Sequence, residues 1–177
     1  MPRVAIENHV MYDINVVDAA NTPAGLVDIS SYISGYVDGE GCFTVSFSPR
    51  RKLRTGWEVR PSFSVSQNAD RAEVLSAIRT YFGCGGFRPD RSDKTIKYEV
   101  RDLASLLARV IPHFEQYPLM SSKRRDFEIF AVICRLLEGR KHLNREGMRE
   151  IATLAVTMNP SGKRRFQLTE LTDYTST

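Results

Sequence analysis

Cysteine and histidine are scarce and scattered in this chain, with only three of each in 177 residues. Cys42, Cys84 and Cys134 stand far apart, no Cys-x-x-Cys occurs, and His9, His113 and His142 fall at no metal-ligand spacing. Neither a zinc cluster nor a disulfide framework is expected. No apolar run approaches the ~18 residues needed to span a bilayer, and Glu7 and Asp13 interrupt the N-terminal stretch. The expectation is a soluble, intracellular protein with no membrane partner. Acid is also missing from one place: Arg50, Arg51, Lys52, Arg54 and Arg60 share a segment in which Glu58 is the only carboxylate.

What is present is ordinary globular material, 42% hydrophobic and 26% charged, enough for one domain with a real core. A net charge of +4 says little by itself, but its distribution says more. Besides the 50–60 segment, Lys123-Arg124-Arg125 and Lys163-Arg164-Arg165 form two further clusters. A charge run is usually a solvated face, yet three of them favour a polyanionic partner.

Residues 1–27 show no sustained period and end in Asn21-Thr22-Pro23-Ala24-Gly25, which reads as an irregular N-terminal extension. The domain is expected to occupy 28–165, followed by a polar C-terminal tail over 166–177. Asp28 suits the N-cap of a helix through about Val37, which Gly39 and Gly41 would terminate. Phe43, Val45 and Phe47 then alternate with Thr44, Ser46 and Ser48. After the basic loop, Trp57, Val59, Phe63 and Val65 alternate with Glu58, Arg60, Ser62, Ser64 and Ser66. That pattern predicts a strand pair with one apolar and one hydroxyl-rich, basic face. Asp70 and Glu73 resemble a capping box for a helix ending at Gly83. A second strand pair is predicted over 86–91 and 95–101, rich in Arg88, Arg91, Lys94 and Lys97. Asp102 should cap another helix, and after the breaks at Pro112 and Pro118 two more are predicted, from Ser121 or Ser122 to Gly139 and over about 145–158.

Helix, hairpin, helix, hairpin, helix makes an α+β fold, αββαββα, with a four-stranded antiparallel sheet and additional C-terminal helices. Helices can cover only one sheet face, so the other must meet water or a ligand. A strand of about ten residues spans roughly 33 Å, matching about ten steps of duplex. The major groove admits a two-stranded ribbon, and Ser, Thr, Arg and Lys suit base edges and phosphates.

The end of the first helix is chemically odd. Asp38 and Glu40 stand where the macrodipole already places negative charge, which costs about 0.3–1 kcal/mol per carboxylate unless a cation offsets it. A bound divalent metal is the remedy the residues suggest. Ser31, Gly35 and Gly39 recur every fourth residue, a side-chain-poor stripe that admits a second helix.

Ile33-Ser-Gly-Tyr-Val-Asp-Gly-Glu-Gly41 resembles the motif from which the LAGLIDADG homing endonucleases take their name. The resemblance runs from about Asp28 to Arg165. It takes in the Phe63-Ser-Val-Ser-Gln67 strand end, the Tyr117-Pro-Leu entry to a Lys-Arg helix, and the Asn159-Pro-Ser-Gly-Lys-Arg-Arg segment. It implies a site-specific endonuclease that uses Mg²⁺, with Mn²⁺ as a substitute, and hydrolyses both strands of double-stranded DNA across the minor groove to leave short 3′ overhangs. One motif copy implies a homodimer in which Ser31, Gly35, Asp38 and Gly39 meet their symmetry mates at the interface. Glu40 would take the place of the metal-binding acid, commonly Asp, with the Gly39 carbonyl as a further ligand. Gln67 would position solvent, and Arg71 and Lys123 would line the same pocket, although Arg124 and Arg125 offer neighbouring registers. Asp38 would stabilise helix ends or the dimer. DNA contacts are expected from Thr44, Ser46, Ser48, Arg50, Arg51, Lys52, Arg54, Arg60, Ser62, Ser64 and Ser66. Arg88, Arg91, Lys94 and Lys97 of the second hairpin, with Lys163 and Arg164, would add to them. The resemblance also admits an RNA maturase acting on a host intron RNA, or a non-cleaving DNA-binding regulator.

Overall fold

The structure, a computed structural model, describes residues 28–89, 94–160, 162 and 166–172. The expected extension 1–27 lies outside the described residues, as do Arg91, Lys163 and Arg164.

Asp28 caps α1 (Ile29–Glu40), its carboxylate accepting from the Ser30 and Ser31 N–H groups. The helix continues three residues past its expected end at Val37. Gly41 N–H donates to the Val37 carbonyl and closes the last turn, so Gly39 is an interior position and not a terminator. The glycine this turn requires is Gly41, where a Cβ would stand 2.4 Å from Val37 Cγ1 and 2.7 Å from its carbonyl oxygen.

From there the chain enters β1 (Gly41–Pro49), which pairs antiparallel with β2 (Trp57–Asn68) in the register Phe43 to Phe63 and Ser46 to Arg60. With β3 (Gly86–Pro89) and β4 (Thr95–Val100) they form one antiparallel sheet in the order β1-β2-β4-β3. The second hairpin is shorter than predicted, β4 stopping at Val100 and β3 described as far as Pro89, whose missing N–H cannot extend a ladder.

Alternation sends Phe43, Phe63, Val65, Tyr98 and Val100 to one face, where all are buried. The Phe43 ring lies 5.2 Å from Phe63, 5.4 Å from Phe114, 5.3 Å from Phe127 and 5.4 Å from Phe130. Such pairs add about 0.5–1.5 kcal/mol each beyond their burial. Helices supply the other side of this core. α2 (Glu73–Phe82) ends at Gly83 in the left-handed conformation, φ 62°, as a helix-terminating glycine should. Its start corrects the expected capping box: a 3-10 turn, Ala69–Arg71, follows β2 directly and pushes the helix on to Glu73, leaving Ala72 at the cap position with no side-chain bond.

Pro112 also behaves differently from expectation. Asp102 caps α3 (Leu103–Ser105) as predicted, but the run continues through a π turn (Leu106–Val110) into α4 (Ile111–Gln116). Ile111 N–H donates to Leu106 O, five residues back, and this wider turn takes the chain past the proline without ending the helix. α5 (Lys123–Glu138) packs across β1, and α6 (Arg145–Ala155) against α5, ending three residues before its expected limit. The segment expected as a polar tail is described to Thr172 and folds back: α7 (Leu168–Thr172) buries Leu171, and the Phe166 ring lies 4.8 Å from Trp57. No helix among the described residues is long and apolar enough to cross a membrane.

Candidate active site and nucleic-acid interface

Three elements converge on the end of α1. Glu40 is its last residue, exposed, and its carboxylate has no hydrogen-bond or ion-pair partner among the described residues. Asp38, two residues earlier, is fully engaged within its own chain. It accepts from Met120 N–H at 3.0 Å, Ser121 N–H at 2.9 Å and the Ser121 hydroxyl at 2.5 Å. Burial alone would raise the Asp38 carboxyl, but the Ser121 hydroxyl, these two amides and the nearby Lys123 charge together hold it below the ordinary carboxylate value.

Lys123, at the first position of α5, returns the contact. Its Nζ donates to the Val37 carbonyl at 2.8 Å and the Gly39 carbonyl at 3.3 Å. A cation of the chain itself, Lys123, therefore offsets the negative end of α1, while the Glu40 carboxylate keeps no partner among the described residues. Burial pushes the Lys123 ammonium below its usual value, against the opposing pull of Asp38, Cys42, Glu40 and Asp126. Arg124 ion-pairs with Glu128 at 2.9 Å one turn along the same helix.

Gln67 stands near the end of β2 and points back at the motif helix. Its Nε2 donates to the Tyr36 hydroxyl at 2.6 Å, and its Oε1 accepts from Asn68 N–H at 2.8 Å. One N–H and one lone pair of the amide remain for solvent. Tyr36 was missed as a site residue, although it stands inside the motif itself. Arg71 lies on the exposed 3-10 turn four residues beyond Gln67 and makes no hydrogen bond or ion pair among the described residues.

Among the described residues no group of three or more His, Cys, Asp or Glu could hold a metal. At the end of α1 one free carboxylate, Glu40, stands beside the Gly39 carbonyl, which keeps a lone pair after Lys123 is satisfied. Two hard oxygens suit Mg²⁺, which ordinarily keeps several waters and takes one or two carboxylates plus substrate phosphates. The residues present fit half of such a site.

On the sheet face turned away from the helices, Ser66, Lys97 and Arg88 stand in register across three strands, and Ser46 stands opposite Arg60. Arg51, Lys52 and Arg54 are exposed at the tip of the first hairpin. Arg50 and Arg60 are drawn together by Glu58, at 3.2 and 2.8 Å. Two of the serines expected at the DNA are nearly covered in the single chain. Ser62 and Ser64 lie on this face but are only 8% and 7% exposed, because short side chains in central strands sink between longer neighbours. The Ser62 hydroxyl moreover donates to Glu99 Oε1 at 2.9 Å. Thr44 and Ser46 bond across to β2 carbonyls, which leaves their lone pairs outward. Ser48 is half-buried beside them, and Lys94, exposed at φ 60°, accepts the Ala69 N–H at its carbonyl.

Residues 33–134 match the sequence model of the LAGLIDADG endonucleases. The chain belongs to this family. It is 30% identical over 149 residues to homing endonuclease I-ApeII of Aeropyrum pernix, covering 81% of this chain and 87% of that one. The crystal structure of the homing endonuclease I-TnaI superimposes with a TM-score of 0.74 at 34% identity, over 80% of this chain and 94% of that one. That of the LAGLIDADG homing endonuclease I-LtrWI bound to target DNA gives 0.76 at 29% identity, over 82% and 49%. This LAGLIDADG chain spans only 29%, 25% and 24% of the length of three curated relatives from Neurospora crassa and Podospora anserina.

Ser31, Gly35 and Gly39 all face outward, and a Cβ at either glycine would meet nothing within 4 Å. Tyr32, 45% exposed, flanks the stripe and stacks on Tyr36 at 6.1 Å.

Proposed function

We propose that this LAGLIDADG chain acts as a homodimer that cleaves both strands of a specific DNA site by Mg²⁺-dependent phosphodiester hydrolysis. The observation that carries the reading is Glu40, a free carboxylate at the end of a helix whose outward stripe is poor in side chains. Two α1 helices packed through Ser31, Gly35 and Gly39 across a two-fold axis would bring both Glu40 side chains toward that axis. Glu40 and the Gly39 carbonyl would hold the ion, which when bound polarises the scissile phosphate and lowers the pKa of a coordinated water.

The chain's own residues do the rest. Gln67, its amide fixed by Tyr36, orders water with its remaining N–H and lone pair. The attacking water oxygen joins phosphorus, the bond to the 3′ oxygen breaks, and that oxygen leaves with a proton as a hydroxyl. Lys123 and Arg71 place positive charge beside the phosphate as negative charge builds. Arg60, Lys97, Arg88 and the hairpin-tip cations hold the duplex backbone, while Ser46 and Ser66 face base edges. β1 of nine residues spans about 30 Å, or about nine base-pair steps, so two copies read a pseudo-palindromic site of about twenty. Retention of the acid favours cleavage over the maturase and regulator readings.

The test is direct. A duplex selected by binding from a random library is incubated with protein and Mg²⁺, and double-strand cleavage with short 3′ overhangs is expected. Glu40→Gln should bind that duplex and not cut it; cleavage at the wild-type rate by this variant would overturn the assignment.

A further inference from the structure

The end of α1 and the start of α5 exchange caps. Asp38 of α1 accepts the Met120 and Ser121 amides and the Ser121 hydroxyl at the approach to α5, while Lys123 of α5 donates to the last-turn carbonyls of α1 at Val37 and Gly39. Each charge sits at the helix end whose macrodipole favours it, on the neighbouring helix and not its own. Ser121 links the two halves. Its oxygen donates to Asp38 and accepts the Lys123 N–H at 3.1 Å, whereas Ser122, at the cap position of α5, makes no side-chain bond.

The contacts close a ring: Asp38 carboxylate, Ser121 hydroxyl, Lys123 backbone, Lys123 ammonium, Val37 and Gly39 carbonyls, and back to Asp38 along α1. The backbone of Lys123 is held by one side of the ring and its ammonium by the other. We propose that Asp38 is a positioning residue for catalysis, acting through Ser121 to set α5 so that the Lys123 ammonium rests beside Glu40. Asp38 contacts neither substrate nor the reacting atoms; its effect reaches the chemistry only through Lys123. The inference rests on the endonuclease reading above and assigns one acid of the motif a role distinct from that of the other.

Two measurements on the 177-residue chain test it. In single-turnover cleavage of the library-selected duplex, Asp38→Ala should slow cutting by about 10- to 100-fold, the scale of a misplacement near 1 Å, with Kd for the duplex changed less than about twofold. Asp38→Asn, whose amide oxygen still accepts the 120–121 amides, should recover most of that loss. The double variant Asp38→Ala with Lys123→Ala should be no slower than Lys123→Ala alone, because Asp38 works through the lysine. Multiplying effects would overturn the proposal, as would a wild-type rate in Asp38→Ala.

The second readout needs no cleavage. Acetylation of surface lysines followed by mass spectrometry should show Lys123 shielded in the wild type and markedly more reactive in Asp38→Ala, with Lys52 as an unchanged internal standard. Should the wild type fail to cut any duplex while this shift appears, the endonuclease reading falls and the positioning stands; equal Lys123 reactivity in both proteins sinks the positioning alone. Where Asp38→Ala does not fold, Ser121→Ala removes the hydroxyl link with the carboxylate kept, and the same loss and the same non-additivity with Lys123→Ala are expected.

Discussion

The Gln67 amide donates to the Tyr36 hydroxyl across 2.6 Å, tying the end of β2 to the middle of the motif helix. That bond decides where the free side of the amide points. Removing its acceptor in Tyr36→Phe leaves the ring and its stacking on Tyr32 in place. A typical net hydrogen bond contributes about 0.5–1.5 kcal/mol. The expected outcome is therefore a loss of about 2- to 10-fold in the single-turnover cleavage rate, with urea stability lowered by no more than that energy. Gln67→Ala should be slower still, and insensitive to the further change at Tyr36. A Tyr36→Phe variant that cuts at full speed would show that the amide needs no such anchor.

Gly35 separates the fold of one chain from the assembly of two. A Cβ there meets nothing within its own chain, and helix propensity favours alanine over glycine by about 1 kcal/mol. Gly35→Ala should then raise the urea midpoint of the isolated chain at low protein concentration. The same methyl would hold two α1 helices apart, so Gly35→Leu should shift sedimentation from dimer to monomer and abolish double-strand cutting. Unchanged sedimentation in Gly35→Leu would place the dimer contact elsewhere.

Much of this architecture was legible because it is periodic or local. The alternation of Phe43, Val45 and Phe47 with Thr44, Ser46 and Ser48 is the direct consequence of a half-buried strand, and Asp28, Asp102 and Gly83 are residues whose side chain or φ marks a helix end within three positions. What escaped is nonlocal. Asp38 meets Ser121 across 83 residues and Lys123 meets Val37 across 86, distances no spacing rule reaches. For that reason the lysine that the chain itself brings to the negative end of α1, beside the Glu40 carboxylate, escaped the sequence reading. Pro112 misled in the opposite sense. The breaker rule is local and correct for an α register, but the π turn before it changes the register. Ser62 and Ser64 fall on the expected face yet lie deeper than their neighbours, since alternation gives direction and not the length of the side chains around them.

Lys97 offers a quantitative check on the sheet as a DNA surface. It stands between Ser66 and Arg88 in register and is half-exposed on the face away from the helices. If it contacts a phosphate, Lys97→Ala removes one released counterion per chain, and log Kd against log salt should lose about 0.9 from its slope per contact. The loss should be uniform across duplex sequences. Arg60→Ala should behave otherwise, because it also frees Glu58 from its 2.8 Å partner and leaves that carboxylate facing the duplex beside Arg50. Its penalty should exceed that of Lys97→Ala at low salt and converge with it as salt screens the carboxylate. Equal slopes for wild type and Lys97→Ala would exclude that lysine from the interface.

His113 makes stability depend on pH in a defined window. It is 5% exposed and sits in a hydrogen-bonded chain whose direction is set by its last member, the Tyr117 carbonyl, which can only accept. Ser34 donates to that carbonyl at 2.7 Å, so His113 Nε2–H donates to Ser34 at 3.2 Å. Nδ1 is then unprotonated and accepts from Tyr81 at 3.0 Å, and Ser30 donates to Tyr81 at 3.1 Å. Ser30 and Ser34 of α1, Tyr81 of α2 and the Tyr117 carbonyl just past α4 thus hold a neutral imidazole, and burial lowers its pKa to about 4 from the usual 6.5. The folded state binds fewer protons than the unfolded one between these values. Stability is full above pH 6.5 and falls as pH drops toward 4, by about 3 kcal/mol in total. Asp28 and Asp38, both held low, lose their contribution only below the ordinary carboxylate value near 3.8, so the two windows separate. Urea unfolding at pH 7.5, 5.5 and 4.2 should show this fall in the wild type. His113→Gln should be less stable at pH 7.5 but much flatter down to 4.2, keeping the smaller slope from His142, which burial also lowers, and at the acid end that of Glu58, which the Arg60 hydrogen bond holds below the ordinary value of 4.5. Parallel curves for the two proteins would remove His113 as the source.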